Sequence, residues 1–298
     1  MLSALTNEKL NAHLTNQTAI ELLSPAKVNV FLKITGQRID GYHELLTVFV
    51  PVSLYDKLII SKSEKGLEVY YRGREIPNNQ NNLVSRAAIS FFEKTGIKKG
   101  IKITLIKNIP ISSGLGGGSS NAATTLKGLN QLWPNALSKE DLEKLALSLG
   151  ADVPFFLLQK PAMARGIGEI LQPIENFPSL WYVIVSPNLM ISTAWTYERF
   201  KLNLTNNRNQ NKMSSFKKNI FNIPELLFND LERVTLVKYP FLSSIKESLL
   251  QVGALGALMT GSGPSIFGLF DSAKKARKAG NILKTYDKGD VFVVKGLS

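Results

Sequence analysis

The glycine-rich stretch at residues 110–123, PISSGLGGGSSNAA, constrains the chain more than any other segment. It follows IKITLI at 101–106, a predicted β-strand, and it precedes apolar residues at helical spacing, which predict a helix that runs to Pro134. Glycine lets backbone N–H groups point inward where a Cβ would interfere, and the first N–H groups of a helix carry partial positive charge. A strand, a glycine loop and a helix in this order therefore predict a phosphate site.

Two common glycine motifs do not fit this stretch. A Walker A loop ends in Gly-Lys-Ser/Thr, but Gly118 is followed by Ser119 and no lysine. The dinucleotide motif needs a third glycine where Ser119 stands. A turn-forming glycine run is the alternative, and we prefer phosphate binding because the three consecutive glycines lie between regular elements. A second glycine loop, TGSGP at 260–264, is by itself as consistent with a simple tight turn as with a phosphate site.

Length and composition limit the class of protein. The chain has 298 residues, which predicts two compact lobes, and strands and helices mix throughout, which favours an α+β fold over a doubly wound sheet. The absence of cysteine excludes disulfides and thiolate metal sites, and two histidines exclude a histidine-rich zinc site. The first residues lack a signal-peptide pattern and no apolar run would span a bilayer, so we expect a cytoplasmic protein.

The net charge of +13 favours polyanionic partners without choosing among them. The run DSAKKARKAGNILK at 271–284 places five Lys/Arg on a predicted helix, and a solvated helix face is preferred over an RNA-binding patch. The Asn-rich stretch at 201–219 predicts a surface loop or an irregular connection.

Local patterns place the other elements. Residues 26–34 alternate, which predicts a half-buried strand with Lys27 and Asn29 pointing the same way, off the core. An Asp-Gly pair at 40–41 predicts a tight turn before a second strand. Residues 226–237 are interpreted as helical, and caps are predicted at the starts of two other helices, at Asn82 and Ser138.

The motifs taken together resemble the GHMP kinase superfamily. The stretch at 110–123 resembles its ATP-binding motif, and LMTGSGPSIFG at 258–268 resembles its C-terminal glycine motif. SPAKVNVFLKITGQRIDGYHELLTVF at 24–49, LGADVPFFL at 149–157 and AMARGIGEILQPI at 162–174 resemble one branch of it. That branch phosphorylates the 2-hydroxyl of 4-diphosphocytidyl-2-C-methyl-D-erythritol in non-mevalonate isoprenoid biosynthesis.

The resemblance implies a two-lobed α+β GHMP kinase fold. It implies a ribosomal-protein-S5-like ATP-binding domain at 1–175, with an extension at 1–20, and a ferredoxin-like α/β domain at 176–298. The implied activity is that of a small-molecule kinase with ATP as co-substrate and Mg²⁺. The expected partner is the small-molecule substrate alone, with no nucleic acid and no membrane, and the expected state is a monomer or weak homodimer.

The resemblance also implies which residues form the site. Asp152, embedded in apolar sequence, matches the catalytic aspartate and Lys27 the catalytic lysine: Asp152 accepts the hydroxyl proton, while Lys27 keeps Asp152 ionised and orients the hydroxyl. Tyr42 and His43 match the cytosine-binding positions. Weaker substrate-side candidates are Asn29, Thr193 and Tyr197. The ATP-binding candidates are Pro110, Ile111, Ser112, Ser113, Gly114, Leu115, Gly116, Gly117, Gly118, Ser119, Ser120, Asn82 and Lys107. No acidic residue is marked as a metal ligand, and Ser119 or Ser120 could give Mg²⁺ one oxygen.

Two alternatives remain open. A GHMP kinase could use another small alcohol, such as mevalonate or homoserine, although Tyr42 and His43 argue against it. A basic RNA-binding protein of kinase-like fold would account for the charge, but it would leave Lys27 and Asp152 without a role.

Overall fold

The computed structural model of the protein describes residues 19–64, 66–74, 82–134, 136–200 and 223–298. The Asn-rich stretch at 201–219 and the predicted extension up to residue 18 lie outside these ranges. Within them the chain forms two compact units that are not contiguous in sequence. The first unit contains residues 19–24, 56–108 and 118–157, and the second contains residues 25–55, 109–117 and 158–298.

Two long strands contribute residues to both units. They are β1 (Ala19–Gln37) and β2 (His43–Ser63). The predicted Asp-Gly turn joins them: the Arg38 N–H donates to the Tyr42 carbonyl at 2.7 Å, and Gly41 adopts a φ of 86°. This prediction is confirmed.

The first unit combines strands with four helices among its described residues. In chain order these elements are β3 (Leu67–Gly73), α1 (Leu83–Thr95), β4 (Gly100–Lys107), α2 (Gly117–Leu132), α3 (Lys139–Leu149) and α4 (Val153–Leu158). Strand β4 pairs antiparallel with the end of β2 and parallel with β3. Helix α2 packs closely on β1 and β2, since a Cβ on Gly128 would lie 2.5 Å from Ile60 Cδ1 and 2.8 Å from Leu22 Cδ1.

The helix boundaries in the first unit follow their local signals. Asn82 caps α1 by accepting the Val84 N–H at 2.9 Å, and Ser138 caps α3 by accepting the Asp141 N–H at 3.1 Å. Both predicted caps are confirmed. Helix α2 begins within the glycine stretch and ends just before Pro134, as its apolar spacing predicted.

The second unit contains a four-stranded antiparallel sheet. Among its described residues it also contains three short strands outside that sheet. Its further elements are β5 (Ala162–Arg165), β6 (Ile170–Pro173), β7 (Trp181–Ser186), α5 (Thr193–Arg199), α6 (Ile223–Leu226), β8 (Phe228–Asn229), α7 (Glu232–Lys238), α8 (Phe241–Gln251), β9 (Ala257–Met259), β10 (Ile266–Phe270), α9 (Ala273–Lys284) and β11 (Asp290–Lys295). The sheet order is β11-β7-β10-β9. Of the three short strands outside that sheet, β5 pairs with β2, β6 with β5 and β8 with β1. Its strands share an apolar core with α8 and α9, including Val183, Leu249 and Leu283.

Helix α9 has the amphipathic pattern of a surface helix. Ala276, Ala279 and Leu283 are buried, while its basic residues lie on the exposed side. This agrees with the solvated face preferred from the sequence. No helix within the described ranges is long and apolar enough to cross a bilayer.

Two local predictions are wrong. The segment 226–237 is not one helix, because Phe228 and Asn229 form β8, which pairs in parallel with Phe31 and Leu32 of β1. The ring of Phe228 lies 5.7 Å from that of Phe31, so tertiary packing overrides the local helical preference.

Residues 24–32 of strand β1 are buried on both faces rather than one. Lys27, Asn29 and Phe31 are 4%, 2% and 2% exposed, and Val28 and Val30 on the opposite face are buried as well. Phe31 belongs to the core, and the two polar side chains form hydrogen bonds within the second unit. Lys27 and Asn29 do point the same way, as predicted, with their side chains 2.6 Å apart.

Candidate functional site

The two glycine motifs lie against each other within the second unit. Gly114 has a φ of +78°, and a Cβ at this position would stand 2.1 Å from the Thr260 carbonyl oxygen. The Ser265 N–H donates to the Ser113 carbonyl at 3.2 Å, which ties the second loop to the first. This contact could not be read from local sequence, and it rules out the interpretation of residues 260–264 as only a tight turn.

Lys27 is held at the junction of these loops. Its Nζ donates to Asn29 Oδ1 at 2.6 Å and to the Gly114 carbonyl at 2.9 Å, and its backbone N–H donates to the Leu115 carbonyl at 3.0 Å. The ammonium also lies 5.2 Å from the centre of the Phe49 ring. A buried cation held by defined acceptors has a fixed direction, which a catalytic charge requires.

Two threonines that the sequence analysis missed complete this network. Thr47 Oγ1 accepts from Asn29 Nδ2 at 2.8 Å and donates to the Phe31 carbonyl at 2.6 Å. Thr260 Oγ1 accepts the Asn29 backbone N–H at 3.0 Å. The position of Thr260 within the second glycine loop, at 260–264, was the one available signal.

An aromatic group surrounds His43 in the second unit. The centre of the His43 ring lies 5.5 Å from the centre of the Tyr197 ring and 6.4 Å from that of the Phe200 ring. Tyr42, next to it in sequence, is 60% exposed. Burial lowers the pKa of His43 below its ordinary value, so the imidazole is neutral at pH 7 and offers one donor and one acceptor. The structure brings together predicted residues Tyr197 and His43, and it adds Phe200.

Thr193 begins helix α5, and its hydroxyl lies 3.0 Å from that of Ser262. This contact links a predicted substrate-side residue to the second glycine loop within the same unit. Ser262 was not singled out from the sequence.

The conformation of the glycine loop is set by an internal hydrogen bond and by residues with positive φ. Ser113 Oγ donates to the Pro110 carbonyl at 2.7 Å, and Ser112 and Gly116 adopt positive φ values of 50° and 70°. Leu115 is fully buried and anchors the loop. Helix α2 starts at Gly117, which places its first N–H groups at the end of the loop, as the sequence predicted.

The first unit contains a second buried polar cluster, centred on Asp56. Its carboxylate pairs with the Lys107 ammonium, accepts the Asn108 N–H at 2.7 Å and accepts from Asn121 Nδ2 at 2.9 Å. Burial lowers the pKa of Lys107, and the adjacent carboxylate opposes that shift. Breaking such a pair costs about 3 to 5 kcal/mol, because an uncompensated charge stays buried. Asp56 was missed, since nothing in its strand sequence marks a partner.

The remaining predicted residues of the first unit differ in accessibility. Asp152 is half-buried and directly precedes α4, whose Val153 and Phe155 are fully buried. Ser120 is fully buried and its hydroxyl accepts from Ser24 Oγ at 2.8 Å, whereas Ser119 is half-buried. Of the two serines proposed for Mg²⁺, Ser119 is therefore the more accessible.

Comparisons with known proteins define the class. The model of the GHMP kinases N terminal domain matches residues 82–160, and that of the GHMP kinases C terminal domain matches residues 206–288. A homoserine kinase from Cytophaga hutchinsonii shares the fold, with a TM-score of 0.73 at 23% identity over 93% of this chain and 95% of that one. The chain is a small-molecule kinase of the GHMP class, with the predicted α+β fold and ATP as co-substrate.

Two further relatives narrow the class. A crystal structure of 4-(cytidine 5'-diphospho)-2C-methyl-D-erythritol kinase is 34% identical with a TM-score of 0.80, covering 94% of this chain and all of that one. A 4-diphosphocytidyl-2-C-methyl-D-erythritol kinase from Syntrophotalea carbinolica is 44% identical over 274 residues, which are 92% of this chain and 97% of the relative. The chain belongs to the 4-diphosphocytidyl-2-C-methyl-D-erythritol kinase family.

Proposed function

We propose that the protein transfers the γ-phosphoryl group of ATP to the 2-hydroxyl of 4-diphosphocytidyl-2-C-methyl-D-erythritol, giving the 2-phosphate and ADP. The reaction serves non-mevalonate isoprenoid precursor synthesis. The observation that carries the proposal is the buried ammonium of Lys27, held by Asn29 and the Gly114 carbonyl where two glycine motifs meet. Family membership supports the acceptor.

Proton removal is assigned to Asp152. We propose that its carboxylate accepts the 2-hydroxyl proton, and that Lys27 keeps this carboxylate ionised and orients the hydroxyl. The remaining demand of phosphoryl transfer is positioning and charge stabilisation, which the glycine motif supplies through its backbone N–H groups. These roles rest on the family resemblance of both residues.

Cytosine recognition is assigned to Tyr42 and His43. The exposed ring of Tyr42 can stack on the base, an interaction worth about 1 to 3 kcal/mol. The neutral imidazole of His43 can donate to one atom of the cytosine edge, which supplies selectivity. We assign Asn29, Thr193 and Tyr197 to the remainder of the substrate.

ATP binding is assigned to the stretch from Pro110 to Ser120, together with Asn82 and Lys107. Asn82 uses Oδ1 for its helix cap, and its Nδ2 carries the donors that a nucleotide would use. The ammonium of Lys107 has an internal partner in Asp56, so its contribution to ATP would be made from a fixed position.

Mg²⁺ is proposed to arrive with the nucleotide. The described part of the chain holds no group of three or more His, Cys, Asp or Glu side chains suited to a metal ion, so phosphates and water would provide most ligands. The Ser119 hydroxyl fits as one protein oxygen. When bound, the ion would offset charge on the phosphate oxygens.

Other features of the protein are proposals of the same kind. We propose a cytoplasmic monomer or weak homodimer that binds neither nucleic acid nor membrane. We also propose that residues 1–175 and 176–298 correspond to the ATP-binding and C-terminal domains of the family as regions of sequence, not as separately folding units.

A coupled ADP assay with and without 4-diphosphocytidyl-2-C-methyl-D-erythritol tests the function. We expect ADP release that requires this acceptor, and we expect Asp152→Asn and Lys27→Ala each to lower kcat by about 10²-fold or more. Lys33→Ala on the same strand and Asp287→Asn on the surface are matched controls and should retain parent turnover. Circular dichroism would establish that all variants are folded.

The outcomes separate the alternatives. If mevalonate or homoserine is phosphorylated at a rate comparable to that of the cytidylated acceptor, the proposed acceptor is wrong, although the kinase activity stands. If the protein releases no ADP with or without an acceptor, and if it binds RNA in a salt-sensitive manner, the RNA-binding alternative is favoured instead.

A further inference from the structure

We infer that Thr260 is a positioning residue for the phosphoryl transfer, acting through Lys27. This inference rests on the proposed catalytic role of Lys27. The side chain of Thr260 is fully buried, so its hydroxyl acts on its protein neighbours rather than on solvent.

The hydroxyl of Thr260 reaches two oxygens that accept hydrogen bonds from the Lys27 ammonium. It lies 3.3 Å from Asn29 Oδ1 and 3.3 Å from the Gly114 carbonyl oxygen, and these are the acceptors of the Nζ donors at 2.6 Å and 2.9 Å. It also accepts the Asn29 backbone N–H at 3.0 Å. One small group therefore fixes strand β1 and the glycine loop at the point where both meet the cation.

The backbone of Thr260 is itself fixed from a segment far away in sequence. Asn229 Nδ2 donates at 2.8 Å to the carbonyls of Met259 and of Gly261, the two residues that flank Thr260. The Thr260 N–H donates to the Ser265 carbonyl at 3.0 Å, which closes the loop on its other side. Strand β8, which the sequence analysis mistook for helix, thus holds the loop that holds Lys27 in place.

Loss of this hydroxyl should change the direction of the Lys27 ammonium more than it changes the fold. Valine has nearly the shape of threonine, so Thr260→Val keeps the packing and leaves the Asn29 N–H without its acceptor. A small displacement of a catalytic charge can lower the rate by orders of magnitude. Thr260→Ser keeps the hydroxyl and removes only a methyl group.

Steady-state kinetics with ATP and the cytidylated acceptor test the inference. We expect Thr260→Val to lower kcat by about ten-fold or more with the KM for ATP changed by less than about two-fold, and Thr260→Ser to retain most of kcat. In a Lys27→Ala background, Thr260→Val should have less than about a two-fold further effect, because residues that act through one another are not additive. Thr125→Val is the matched control, since that buried hydroxyl bonds only to a carbonyl of its own helix among the described contacts.

An NMR measurement decides the inference without relying on turnover. In protein labelled at the lysine Nζ, the Lys27 ammonium resonance, assigned with Lys27→Ala, should shift or broaden in Thr260→Val and stay in place in Thr260→Ser and Thr125→Val. Parent kcat in Thr260→Val, a full additional loss in the Lys27→Ala background, or an unchanged ammonium resonance would overturn the inference. A parent enzyme without acceptor-dependent ADP release would overturn the proposed function instead, while the resonance would still report on Thr260.

Discussion

At the scale of single residues, two almost fully buried lysines have different environments. Lys107 faces the carboxylate of Asp56 in the first unit, whereas the second unit holds the Lys27 ammonium with the neutral oxygens of Asn29 and Gly114. The Asp56 carboxylate holds the Lys107 ammonium in a fixed position, from which it would contribute to ATP binding as proposed. The Asn29 and Gly114 oxygens fix the position of the Lys27 ammonium, which suits the catalytic role proposed for it.

His43 should make stability depend on pH. Burial lowers its pKa in the folded state below 6.5, so the unfolded chain binds more protons as the pH falls below that value. We therefore expect the free energy of unfolding of the parent to fall relative to His43→Gln below about pH 6.5, and the difference to be constant above it.

Urea unfolding at a series of pH values from 5 to 8 would measure this difference. A constant difference across the whole series would show that the imidazole titrates alike in the folded and unfolded chain.

At the scale of elements, the contact of the two glycine loops explains why Gly114 cannot carry a side chain. Its φ is +78°, and a Cβ there would collide with the Thr260 carbonyl. By contrast, a Cβ on Gly118 in the first turn of α2 would meet Leu83 at an ordinary 3.5 Å. The two glycines of one motif therefore differ in how far a side chain is excluded. Gly114 is required for the close approach of two backbone segments, whereas Gly118 lies in a helix that has room for a Cβ.

Gly114→Ala should lower the free energy of unfolding by about 2 kcal/mol or more, since left-handed backbone costs a non-glycine residue about 1 kcal/mol and overpacking adds about 1 to 3. Gly118→Ala is the matched control and should be neutral or up to about 1 kcal/mol more stable. Chemical denaturation of both variants measures the comparison, and equal stability of the two would contradict the loop contact.

At the scale of the whole molecule, the two compact units interleave along the chain rather than dividing at one point. In the second unit, Val28 and Val50 share a core with Tyr182 and Phe267. After the last strand, β11, the chain returns to β2, where the Leu297 N–H donates to the Pro51 carbonyl at 2.8 Å. A cut at residue 175 would therefore divide one core.

We expect residues 176–298, produced alone, to lack a cooperative thermal transition, because they lack the β1 and β2 residues of that core. Co-production with residues 1–175 should restore it. Calorimetry of the fragment, of the pair and of the full chain checks this, and a cooperative transition of the lone fragment would show that the proposed C-terminal domain folds independently.

Much of the fold could be predicted because its signals are local. The caps at Asn82 and Ser138, the Asp-Gly turn and the helix after the glycines depend on residues a few positions apart. The β8 strand could not be predicted, since its two residues pair with β1 almost two hundred positions earlier, and local preference alone favoured helix.

The sequence by itself determined the family, the glycine motif that enters helix α2, and the residues proposed for catalysis and cytosine recognition. Only the tertiary structure decided that Lys27 and Asn29 are buried, that both glycine loops meet at Gly114, and that Thr260 and Asp56 hold polar networks together. The physical reason is that a motif encodes residue types at short spacing. The partner of a buried polar group is chosen by packing between segments far apart in the chain, which local spacing does not encode.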